Sequence, residues 1–94
     1  MPKFLIEIPH SEDIYECARA IKVFLESGSH FLVNAEWGCE DGVHNCWLML
    51  EADNHDQARG VVPPAYRADA TVVRLNRFEW QQVDNIMKAH HKEA

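Results

Sequence analysis

The sequence predicts an α+β fold with the element order βαββαβ, and three observations predict it. Phe4, Ile6 and Ile8 alternate with Lys3, Leu5 and Glu7 near the start, as in a strand with one buried face. An Asp41-Gly42 pair lies between two alternating apolar runs, the strongest short-range signal for a β-hairpin. Two stretches with apolar residues at helical spacing separate the remaining strands.

The first strand stops at Pro9. Ser11 then reads as a helix N-cap, with Glu12 and Asp13 where the helix dipole favours acids. Ile14, Cys17, Ala18, Ile21, Phe24 and Leu25 recur at helical spacing, and Gly28 closes that helix. The hairpin is expected over residues 31–39 and 44–52. A two-residue turn at Asp41-Gly42 opposes Cys39 to His44, Trp37 to Cys46, Ala35 to Leu48, Val33 to Leu50 and Phe31 to Ala52. Asn54 caps a short helix over residues 55–62, which ends at Pro63-Pro64. Residues 71–78 read as the last strand, and residues 79–88 as an amphipathic C-terminal helix with Trp80, Val83, Ile86 and Met87 on one side. A frayed, charged end follows at His90-His91-Lys92.

This order is that of the ferredoxin-like fold, whose antiparallel sheet has the spatial order 4-1-3-2 with helices on one face. The expected covered face holds Phe4, Ile6, Ile8, Phe31, Val33, Ala35, Leu48, Leu50, Val73 and Leu75. On the other face, Leu5, Leu32, Trp47, Met49 and Val72 mix with Glu7, Asn34, Glu36, Arg74 and Asn76. A patch of that kind predicts a cover, and two copies packed sheet to sheet as a homodimer supply one. His30, Asn34, Glu36, Trp47 and Met49 then line a small-molecule cavity, or an ordinary mixed interface.

In element order and face composition the chain resembles the dimeric α/β-barrel superfamily, in which two ferredoxin-like subunits pair through their sheets. The resemblance spans nearly the whole chain. It implies a ligand-binding protein or a small cofactor-independent enzyme of monooxygenase or isomerase type. No catalytic signature of a member matches, so no catalytic residue is carried over.

Composition narrows the functional classes. Ninety-four residues suit a single domain, and 47% apolar content opposes disorder. Fifteen acids against nine scattered bases give a net charge of −6, which disfavours a nucleic-acid partner. No stretch approaches the ~20 apolar residues of a membrane helix, and the N-terminal apolar run is too short for a signal peptide. Three cysteines without a Cys-x-x-Cys pair predict a reduced, cytoplasmic protein.

The topology brings His10, Cys39, Asp41, His44, Cys46, Tyr66 and Arg67 to one end of the sheet. Three readings of that end stay open. In the first, His10, Cys39 and His44 hold zinc, copper or nickel, with Cys46 or Asp41 as fourth ligand. In the second, His44 lowers the pKa of a nucleophilic Cys39. In the third, all of them are structural, as Cys17 is expected to be on the apolar side of the first helix. Tyr66 and Arg67 either hold an anionic ligand or tie their loop to Glu40 or Asp41.

Overall fold

A computed structural model describes residues 1–91; Lys92 of the expected charged end lies outside the described residues. The elements are β1 (Lys3–Pro9), α1 (Ile14–Glu26), α2 (His30–Val33), β2 (Glu36–Trp37), β3 (Asn45–Glu51), α3 (His55–Arg59), α4 (Pro64–Arg67), β4 (Thr71–Leu75) and α5 (Trp80–Ala89). The four strands form an antiparallel sheet in the order β2-β3-β1-β4, which is 4-1-3-2 counted from the other edge. Helices cover one face, and α5 follows the last strand.

The core forms where the alternation places it. Phe4, Ile6 and Ile8 of β1 meet Cys46, Leu48 and Leu50 of β3 on the covered face, all buried. Cys17, Ala20 and Phe24 come down from α1, and Ala58 and Val62 from α3 and beyond it. Phe24 packs edge-on against Trp37 at 5.0 Å and Tyr66 at 5.9 Å, binding α1, β2 and α4 together.

Helix α1 is capped by Asp13, whose carboxylate accepts from the Glu16 amide at 3.0 Å, and not by Ser11. Ser11 Oγ instead accepts from the Asp13 amide, holding the cap in place. Gly28, at φ +80°, stops the helix where a side chain would be strained.

The hairpin is shorter than its apolar run. Residues 30–33 coil into α2, with i→i+4 bonds from the Val33 amide to Ser29 O and from the Asn34 amide to His30 O. That turn buries Leu32, which an extended strand places on the open face. Val33 is turned outward and does not oppose Leu50. The ladder keeps the expected register only at Glu36 with Trp47 and Trp37 with Cys46. Beyond Trp37 the chain leaves the ladder in a 3₁₀ turn, Cys39–Asp41, so Cys39 and His44 are not a ladder pair. Gly42 ends that turn at φ +79°, in place of a two-residue hairpin turn. Gly38 allows the close approach, since a Cβ there would lie 2.7 Å from Val43 O and 2.9 Å from the Trp47 ring.

Strand β4 is shifted by one residue from expectation. Ile6 opposes Val72 and Leu5 opposes Val73, so Val72 packs on the core while Val73 and Leu75 join Leu5 and Met49 on the open face. Two apolar neighbours, Val72 and Val73, leave the phase ambiguous in sequence. The Arg59 guanidinium resolves it by donating to Arg67 O at 3.0 Å and Ala70 O at 2.7 Å, which fixes the strand's start with Ala70 buried. No described helix is long and apolar enough to cross a membrane.

Candidate metal centre

Three segments meet at the end of the sheet where β1 stops. His10 continues the β1–β3 register by one step, and its amide donates to His44 O at 3.0 Å. The two imidazoles therefore stand side by side, ring centroids 5.4 Å apart, on the face that α1 covers. Trp37 closes the inner side, edge-on to His10 at 5.3 Å. The short β1–α1 connection sets the first inward side chain of α1, Cys17, over that strand end. From the other direction the 3₁₀ turn brings in Cys39.

The four side chains touch. His10 Nε2 lies 3.1 Å from Cys39 Sγ and 3.2 Å from Cys17 Sγ, and the two sulfurs are 3.3 Å apart. One ligating atom from each of His10, Cys17, Cys39 and His44 falls within 4.8 Å of the others. With Zn–S of about 2.3 Å and Zn–N of about 2.0 Å, a tetrahedral ion spaces its ligand atoms by roughly 3.3–3.8 Å. The His10, Cys17 and Cys39 donors need to open by only about half an ångström to match that spacing, and the His44 nitrogen lies within 4.8 Å of them.

Electrostatics favour neutral ligands. Burial, and then the nearby His44, hold the His10 imidazole below its ordinary pKa, leaving it uncharged near neutral pH. Burial also pushes the Cys39 thiol up, reinforced by its hydrogen bond and proximity to Cys17 and by Glu40, against a smaller lowering by its own backbone. A thiol raised in this way is a poor nucleophile, so the expected activation of Cys39 by His44 is not found. His10 Nδ1 and His44 Nδ1 are buried without a hydrogen-bond partner, a costly state for polar atoms. A surface groove of about 310 Å³, lined among others by Glu12, Cys17, Cys39, Glu40 and His44, leads to the sulfurs from solvent.

No family model, curated protein or solved structure matches the chain.

Sequence reasoning places His10, Cys39 and His44 together, and the structure brings them together. It missed Cys17, whose helical phase is that of a core residue; the signal was its position one turn into a helix that starts beside His10. Neither proposed fourth ligand takes part. Asp41 is exposed, and Cys46 is wholly buried behind the cluster, its thiol pushed up to about 12 by burial and then by Cys39. Tyr66 packs on Phe24, while Arg67 donates to Val62 O at 2.8 and 3.0 Å and to Gly60 O at 3.2 Å. Arg67 thus ties down its own loop, and not through Glu40 or Asp41. Asn34, Glu36, Trp47 and Met49 do line a shallow concavity of about 210 Å³ on the open face with Leu5. His30 stays outside it, exposed and tilted over Phe31 at 4.1 Å.

Proposed function

We propose that this chain is a metal-binding protein that holds one zinc ion through His10, Cys17, Cys39 and His44. The observation that carries the reading is the mutual approach of two thiols and two imidazoles from three separate chain segments, their ligating atoms all within 4.8 Å of one another. Zinc is favoured over copper or nickel because a flexible Cys2His2 set suits an ion with no geometric preference of its own. Four protein ligands leave no open position, so the ion's role is to hold or store rather than to catalyse. The reading requires reduced thiols, which fits a cytoplasmic location. The element order and sheet order support a ferredoxin-like assignment, and with it the resemblance to the dimeric α/β-barrel superfamily. The runner-up, a small cofactor-independent enzyme acting in a cavity between paired sheets, has only the shallow open-face concavity to support it.

The test is elemental analysis of protein purified without a His tag, then titration of the metal-free chain with zinc and cobalt. One equivalent is expected, with the intense thiolate-to-cobalt absorption of a mixed Cys/His site. Cys39→Ser should abolish stoichiometric binding, whereas the double change His90→Ala and His91→Ala, in the exposed tail, should not. A chain that takes up no zinc or cobalt at neutral pH overturns the proposal.

A further inference from the structure

Among the described residues, two of the exposed apolar surfaces face away from the core. The first is the sheet face away from the helices, where Leu5, Trp47 and Leu75 are half-buried while Met49 is 61% and Val73 44% exposed. The second is one side of α5. Trp80, Val83, Ile86 and Met87 fall within a narrow arc of the helix, with Phe78 just before it, and no residue of α5 is buried. The polar side carries Gln81, Asn85 and an Asp84–Lys88 ion pair at 2.8 Å.

The helix does not lie on its own sheet, because Met49 and Val73 remain uncovered. Instead the molecule is drawn out to 55 × 30 × 20 Å, with a radius of gyration of 17.4 Å. A compact chain of this length has a radius of about 12 Å. An arm with a capped start stands off the body: Glu79 and Gln82 form a capping box, so α5 is set as a helix before it has anything to pack on.

We infer that α5 is an exchange arm, which docks its apolar side on the open sheet face of a second copy of this chain and leaves its own sheet for the second copy's arm. Area decides for a second copy. The five exposed side chains of the arm present on the order of 500 Å². One arm on one sheet then buries about 1,000 Å² in total, short of the roughly 1,200–2,000 Å² of stable interfaces. Two-fold exchange repeats the contact and reaches about 2,000 Å², within that range. The exchange also differs from direct sheet-to-sheet pairing, in which α5 plays no part. It does not depend on the metal reading.

Size-exclusion chromatography with light scattering on the full chain at micromolar concentration tests it. The wild type is expected to be a dimer, and Trp80→Glu, Met87→Lys and Met49→Glu each a folded monomer with the wild-type circular dichroism spectrum, because all three positions are exposed within a single chain. An equimolar mixture of Trp80→Glu and Met49→Glu chains restores one of the two contacts, so it should associate at concentrations where neither variant does alone, though more weakly than the wild type. A monomeric wild type overturns the inference, as it would if the arm folded back on its own sheet or served another protein. So does a dimer that survives both Trp80→Glu and Met87→Lys, or a mixture that associates no more than either variant alone as concentration is raised.

Discussion

Cys17 and Cys46 are both buried thiols, yet their neighbours give them different chemistry. Cys17 touches another sulfur and an imidazole, whereas Cys46 sits among Ile8 and the sheet interior and behaves as a small apolar residue. Cys46→Ala should therefore leave zinc stoichiometry at one, while Cys17→Ser should remove it; cobalt absorption reads both. Titration separates the two ends of the pH scale. His10 is held below its ordinary value of 6.5, so between that value and its folded value the unfolded chain binds the extra proton. Stability of the metal-free chain should fall as pH drops below about 6.5, as urea midpoints at several pH values will show. Cys46 has the opposite sign. From its ordinary 9.0 up to about 12, the unfolded chain has lost a proton that the folded chain keeps, so stability should fall again as pH rises past 9. At this scale His10, Cys39 and His44 were readable, because a strand end and a hairpin loop are fixed by Pro9 and by Gly42. Cys17 was not, because a buried helical position looks the same in sequence whether it faces a Leu or a sulfur.

Among the elements, the legible ones are those where a single signal is unopposed. Strand β1 alternates cleanly, α1 carries a wide apolar side, and Asn54 caps α3 by accepting from the Gln57 amide at 2.8 Å. Strands β2 and β4 misled for the same reason: runs of adjacent apolar residues, at 31–33 and 72–73, satisfy two phases equally. Context chose between them, a local helical turn burying Leu32 in one case and the Arg59 clamp in the other. The loop between β2 and β3 depends on Gly38, whose missing side chain lets Val43 O and the Trp47 ring close in. Gly38→Ala should cost about 2–3 kcal/mol in a urea melt, by forcing apart a packed turn, and should loosen Cys39 with it. A variant as stable as wild type would show that the turn gives way easily.

For the whole molecule, the metal reading has a thermal signature. Free zinc at 100 times its dissociation constant adds about 2.7 kcal/mol to folding. In a chain of this size that raises the melting temperature by roughly 10–20 °C, and a chelator should reverse it. Calorimetry with and without zinc checks this. The order of the ligands along the chain adds one further consequence. All four lie at or before residue 44, whereas the last strand, its Arg59 clamp and α5 come later. During synthesis the complete donor set leaves the ribosome before the last strand and α5 do. An ion met at that moment can cross-link the emerging β1 and α1 to the 3₁₀ turn, fastening the first half of the chain before the sheet that will bury it exists.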